Sequence, residues 1–217
     1  MKVYSSDAKY IIETDNYDVF DHGTYSNIYK LDDDTCFKVF KHENIHKPEP
    51  IILLKELKLK NFYKIIDLLH NSNFIYSGYI MDYHQKDNYD ILQDKELLVD
   101  SVNNINDGIN ELTKNFIQIN DLHIDNVIVN SEGITVIDID DYKLFKSDNT
   151  YINNFRYTQL LKSLLYDYLK RYNLTDPMEG YALIKRLVNT DNLDINHFNN
   201  TMKRYKKPID YFQKVIK

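Results

Sequence analysis

One short constellation constrains this chain more than any other. Asp121-Leu122-His123-Ile124-Asp125-Asn126 reads as D-x-x-x-x-N, and Asp138 follows twelve residues later in Val136-Ile137-Asp138-Ile139-Asp140. Between them, Asn126-Val127-Ile128-Val129-Asn130 and Ile134-Thr135-Val136-Ile137-Asp138 form two short apolar strands around Ser131-Glu132-Gly133. That pattern predicts a β-hairpin, which would return Asp138 to the neighbourhood of Asn126. An aspartate and an asparagine on one loop, joined by a second aspartate, can hold Mg²⁺ and orient a nucleophile beside a triphosphate. The competing reading is a surface hairpin whose Asp and Asn residues only make turns. The apolar strand carrying the carboxylate and the apolar helix before the loop together favour the chemical reading.

Bulk properties narrow the choice. The 217 residues suffice for a real hydrophobic core, and the formal charge of −6 contains no long run of one sign. No general nucleic-acid binder is expected from such a balance. Cys36 is the single cysteine, which excludes an intramolecular disulfide and agrees with a reducing compartment. No signal-peptide core follows Met1, and no apolar run is long enough for a membrane span. A soluble, cytoplasmic enzyme or binding domain is the expectation.

Periodicity divides the chain into a β-rich front and a helical back. Asp18–Phe20, Asn27–Leu31 and Cys36–Phe40 are short β-branched or aromatic runs separated by Gly23 and by Asp32-Asp33-Asp34. An amphipathic helix is predicted from Pro50 to Lys60, then two apolar segments, Tyr63–Leu69 and Phe74–Met81. Val102, Ile105, Ile109, Leu112 and Phe116 recur at helical spacing, which predicts a helix leading straight into the Asp121 loop. Another helix is predicted from Tyr151 to Tyr172, with shorter pieces to the end. The basic cluster Lys203-Arg204-Tyr205-Lys206-Lys207 reads as a solvated helix end. This is an α+β layout with polar chemistry near the join.

These motifs resemble those of the protein kinase-like superfamily, over most of the chain. Asp121 stands at the position of the catalytic base, Asn126 at the metal-binding asparagine, and Asp138-Ile139-Asp140 is similar to the metal-binding D-F-G segment. Gly23-Thr24-Tyr25-Ser26 resembles the glycine-rich loop over ATP, with Gly23 alone of its three usual glycines. Lys38, inside an apolar strand, matches the lysine that reaches the α- and β-phosphates and pairs with a helix glutamate, here Glu49 or alternatively Glu56. Met81 falls at the gatekeeper position, with the backbone of Asp82, Tyr83 and His84 toward the adenine edge. The resemblance implies a single domain over 1–217 with a two-lobed fold, a β-rich N-lobe over about 1–83 and a shortened helical C-lobe over about 84–217. It implies ATP and Mg²⁺ as ligands, and transfer of the γ-phosphate to a serine or threonine hydroxyl of a protein substrate.

Departures from the pattern qualify the substrate. The arginine of H-R-D is absent from Ile119-Asn120-Asp121, so no clamp for a phosphorylated activation loop is expected. No A-P-E-like segment follows, and Asp140 replaces the D-F-G glycine, where it could touch a second metal or form a turn. His123 in D-L-H-x-x-N is similar to aminoglycoside and choline kinase-like enzymes, where it would either contact the γ-phosphate or be a satisfied loop histidine. A small-molecule kinase and a pseudokinase binding module are the alternatives. The short chain is similar to pared-down kinases of bacterial effectors, phages and large viruses; for an effector or viral protein the cytoplasm would be a host's, and a kinase without an activation segment is expected to call on an activating protein partner.

Overall fold

Every residue from Cys36 to Phe40 is buried, so both faces of that strand must be covered. The computed structural model, which describes residues 1–7, 9–43, 46–87, 89–171 and 193–204, shows how. Strands β1 (Lys2–Ser5), β2 (Ile11–Glu13), β3 (Val19–His22), β4 (Ser26–Lys30), β5 (Thr35–Phe40), β6 (Ile65–His70) and β7 (Tyr76–Asp82) form one sheet. Its order is β2-β1-β6-β7-β5-β4-β3, with antiparallel neighbours throughout. Alternation along β5 sends Phe37 and Val39 to one face, where they pack with Val3, Ile12, Tyr29, Leu69 and Ile80. Cys36, Lys38 and Phe40 fall on the other face. Cys36 and Phe40 join the larger core there with Tyr79 and Met81, which continues into the helical lobe.

Helix α1 (Pro48–Leu57) lies against the sheet with Ile51 and Leu54 buried. It starts two residues before Pro50, with Pro48 opening its first turn, and Lys58 ends it in the left-handed conformation at φ 48°. Lys55 ties the helix to β6 through a 3.0 Å ion pair with Asp67, whose side chain is 2% exposed. The expected strand pieces at the front are thus present. Lys2–Ser5 and Ile11–Glu13, given no element from the sequence, extend the sheet by pairing with each other and with β6.

Helix α2 (Lys95–Lys114) buries Leu98, Val102, Ile105, Ile109 and Leu112. Asp94 caps its start by accepting the Leu97 N–H. The helix does not run into the Asp121 loop. Asn115 closes it and Phe116 turns the chain at φ 59°, so a short strand β8 (Ile117–Gln118) intervenes. Strands β9 (Val127–Asn130) and β10 (Gly133–Val136) form the predicted hairpin, pairing Gly133 with Asn130 and Val136 with Val127. Strand β11 (Lys143–Leu144) pairs with β8. Helix α3 (Thr150–Arg171) packs on α2, as does α4 (Ile195–Arg204) through the buried Phe198 and Met202. Residues 205–207 of the basic cluster lie outside the described residues. No helix among the described residues is long and apolar enough to cross a membrane.

The lobes are stitched together where Phe62 bridges Val136 in parallel and Tyr63 N–H donates to the Val136 carbonyl at 3.0 Å. Gly108 makes room for this contact: a Cβ there would stand 2.5 Å from the Phe62 ring. Gly78 answers a stricter demand. It has φ +152°, and a Cβ would stand 1.9 Å from the Lys38 carbonyl oxygen, a backbone atom that cannot swing aside. Gly78→Ala is therefore expected to lose about 2–4 kcal/mol of stability through strain and overpacking. The readout is a lower urea midpoint at an unchanged m-value. An unaltered midpoint would show that β5 and β7 tolerate a wider separation.

Candidate active site

Lys38 and Tyr79 face each other across β5 and β7, so their side chains leave the same side of the sheet. The Lys38 ammonium reaches Asp138 Oδ1 at 2.7 Å and also contacts Asp140 Oδ2. Only 7% of the Lys38 side chain is exposed. Burial works against its charge, but the Asp140 and Asp138 carboxylates outweigh that and hold its pKa above the ordinary lysine value. Tyr79 OH donates to Asp140 Oδ1 at 2.6 Å; burial, then the Asp140 charge, push the phenol well above its usual range. Both hydroxyl and ammonium thus stay protonated and donate.

The expected helix partner of Lys38 is displaced. Glu49 and Glu56 are both exposed on α1, and the carboxylate beside Lys38 comes instead from Asp138 and Asp140. The reason is local: α1 presents Lys55, not a glutamate, to the buried Asp67 of the sheet. Glu49 lines a cleft of about 780 Å³ with Tyr25, His46, Asp140, Asp141 and Lys143, without reaching Lys38.

The D-x-x-x-x-N loop is a 3₁₀ turn, Ile124–Asn126, leading into β9. The buried Asn126 donates from Nδ2 to the Asp121 carbonyl at 3.1 Å, which fixes the two ends of the motif to each other. Its Oδ1 accepts no hydrogen bond among the described residues. Asp125 N–H donates to His123 Nδ1 at 3.2 Å, so the proton of the neutral ring resides on Nε2, 3.2 Å from Asp121 Oδ1. The side chains of Asp121 and His123 are 44% and 42% exposed, open to a ligand.

Ile137 N–H donates to the Asn126 carbonyl at 2.9 Å, which ties the residue before Asp138 to the asparagine. Asp138 does not lie on a strand, as the sequence pattern suggested. Strand β10 ends at Val136, and Asp138 takes φ 57° with its side chain 48% exposed. The left-handed conformation is costly for aspartate, of the order of 1 kcal/mol, and such residues persist where the surroundings fix them. Among the described residues no three His, Cys, Asp or Glu side chains gather to hold a metal ion by themselves. Asn126 Oδ1 and the second Asp138 oxygen are hard donors that fit Mg²⁺, whose sites characteristically pair one or two protein oxygens with phosphate and water.

At the hairpin between β3 and β4, Gly23 N–H donates to the Ser26 carbonyl at 3.0 Å, leaving Thr24 exposed and Ser26 buried. A Cβ on Gly23 would meet Ser26 Oγ at 3.6 Å, an ordinary contact, so the turn itself does not demand glycine. Met81 is buried in the core. After it, Asp82 N–H donates to the Lys64 carbonyl and Tyr83 N–H to the Asp34 carbonyl. The Asp82 carbonyl accepts the weak Cys36 thiol at 3.6 Å. Burial and the Asp82 charge push that thiol up to about 12, so Cys36 is no nucleophile. A hydrogen bond to the Asp82 carboxylate, opposed by burial, raises the pKa of His84. The Asp82 carbonyl and the His84 N–H are the hinge groups that no strong hydrogen bond occupies among the described residues.

Two supporting residues escaped the sequence reading. Tyr79 carried no local signal. Asn153 did: it shares a helical face with Tyr157, Leu160, Leu161 and Leu164, where an apolar residue belongs. It is fully buried, accepts the Ile119 N–H at 2.8 Å, and donates to the Ile117 carbonyl at 2.9 Å and Thr113 Oγ at 2.8 Å. It thereby fixes the segment that carries Asp121. Asn153→Leu leaves buried backbone groups unpaired and is expected to lose about 2–4 kcal/mol by urea denaturation. A loss below about 0.5 kcal/mol would show that this network does not hold the loop.

No protein-family model matches the chain, and no curated protein matches it. Among solved structures it is similar to the Cydia pomonella granulovirus kinase PK-1, with a TM-score of 0.55 and 16% identity over 90% of this chain and 94% of that one. The chain thus has a two-lobed protein kinase-like fold, with an antiparallel sheet in one lobe and helices in the other.

Proposed function

We propose that this chain is an ATP- and Mg²⁺-dependent phosphotransferase that moves the γ-phosphoryl group to a hydroxyl, with a serine or threonine of a protein as the acceptor. The observation that carries this reading is the buried Lys38 ammonium against Asp138, joined through Ile137 and Asn126 to the Asp121 loop. Four residues from three separate stretches of chain converge there, each of a type that phosphoryl transfer requires. The likeness to a viral kinase supports the same class.

In this reading the Asp82 carbonyl and His84 N–H take the adenine edge beneath Met81, and the Gly23–Ser26 hairpin covers the phosphates. Lys38 donates to phosphate oxygens. Asp121, steadied by His123, orients the acceptor hydroxyl and takes its proton. Asn126 and Asp138 hold Mg²⁺, which neutralises charge on the transferred group when bound. One ammonium among the Asp121, Asp138 and Asp140 carboxylates leaves the site formally negative, which favours a cation.

A specific observation supports a second reading. Residues 141–149 join Asp140 to α3, and part of that stretch is committed to pairing with β8. So short a segment offers little platform for a peptide, which favours a small hydroxyl compound such as an aminoglycoside.

Purified protein incubated with Mg²⁺ and γ-labelled ATP, with itself and a basic protein as acceptors, is expected to transfer label to protein. Asp138→Ala is expected to abolish transfer. Asp121→Asn is expected to slow it by about 10²–10⁴-fold with ATP binding largely kept. Label on protein from Asp138→Ala would sink the metal assignment. Hydrolysis that rises only with an aminoglycoside would move the acceptor to the second reading. Nucleotide binding without transfer, even with candidate activating partners, would mark a binding module.

A further inference from the structure

We infer that Asp140 is the fixed counter-ion that positions Lys38, in the place where a helix glutamate was expected. Its consequence for turnover rests on the phosphotransferase reading; the pairing itself rests on geometry. Asp140 and Lys38 are in contact with only 8% and 7% of their side chains exposed. Both oxygens of Asp140 are engaged, one by Lys38 and the other by Tyr79 OH at 2.6 Å. Tyr79 is fully buried and stands opposite Lys38 on the neighbouring strand, so one side of the sheet supplies both donors. The main chain is pinned as well: His46 Nδ1–H donates to the Asp140 carbonyl at 3.1 Å, and Asn120 Nδ2 donates to the Asp141 carbonyl.

Asp138 is built differently. Its side chain is 48% exposed and one oxygen is free among the described residues, which suits a group that exchanges Lys38 for a metal ion. Asp140 can supply the permanent counter-charge while Asp138 changes partners. Helix α1 contributes no carboxylate to this cluster. Its Glu49 and Glu56 are exposed, and its charged link to the sheet is the Lys55–Asp67 pair. Lys38 is therefore tethered to the segment that carries the metal ligand, and a shift of α1 neither makes nor breaks its ion pair.

The test reads Lys38 directly. A buried, hydrogen-bonded ammonium exchanges its protons slowly and should give a resolved lysine side-chain signal in ¹H–¹⁵N spectra, assigned by its loss in Lys38→Arg. Asp140→Asn is expected to shift or erase that signal and Tyr79→Phe to shift it. Glu49→Gln and Glu56→Gln are expected to leave it in place. In the phosphotransfer assay Asp140→Asn is expected to lower kcat about 100-fold, the scale of a 1 Å misplacement, with partial rescue in Asp140→Glu and no change in Glu56→Gln. Should Asp140→Asn fail to fold, the Tyr79→Phe spectrum decides. A signal indifferent to Asp140→Asn or Tyr79→Phe, or lost in Glu49→Gln, overturns the inference, as does the lack of any protected lysine signal in the unaltered chain. If the unaltered chain transfers no phosphate, the functional reading fails while the spectra still decide the pairing.

Discussion

An ammonium withdrawn from water at the junction of two lobes is the constraint on which the rest of this structure depends. Lys38 is 7% exposed, and an unpaired charge so placed would cost several kcal/mol. Two carboxylates that are one hundred and more residues away must therefore be delivered to it and held there. That requirement links β5 of the sheet to the segment that follows the hairpin of the helical lobe. It also explains why polar residues lie at the centre of an otherwise apolar interface.

The delivery is achieved by backbone geometry. Gly78 lets β7 approach the Lys38 carbonyl more closely than any side-chain-bearing residue would allow. On the far side, Asn153 takes up the Ile119 N–H and the Ile117 carbonyl, fixing the path into Asp121. The hydrogen bonds from Ile137 to Asn126, and from Asn126 to Asp121, then carry that path across to Asp138. Rigid elements thus position short loops: Asp121, Asn126, Asp138 and Asp140 lie outside the strands and long helices, and Lys38 alone of the cluster sits within a strand.

Helix α1 illustrates how local charge choices redirect a common plan. With Lys55 turned to the buried Asp67, its glutamates remain in solvent, where a carboxylate has no desolvation to offset. The counter-charge at Lys38 falls to Asp140 and Asp138, on the segment after the hairpin. The sequence reading paired Lys38 with a helix glutamate, Glu49 or Glu56. It could not tell which face of that helix would meet the sheet.

The sequence by itself determined the element plan: the β-branched and aromatic run Cys36–Phe40, helical spacing in Val102–Leu112, and a hairpin about Gly133 all reflect preferences that local sterics and burial impose. It also brought Asp121, Asn126 and Asp138 into one neighbourhood, because a hairpin's register is a short-range property. Helix ends were less legible: Pro48 opens α1 where Pro50 also fits, and Phe116 breaks α2 through a backbone angle that no composition signals. Only the tertiary structure decided that Lys38 meets Asp140, that Tyr79 holds it, and that Asn153 supports the loop. Those pairings join residues 34 to 102 positions apart, and the chain meets there only after the elements that carry them have packed. Long-range electrostatic partners are chosen by which buried charge lies nearest once the cores are closed, and no local pattern encodes that distance.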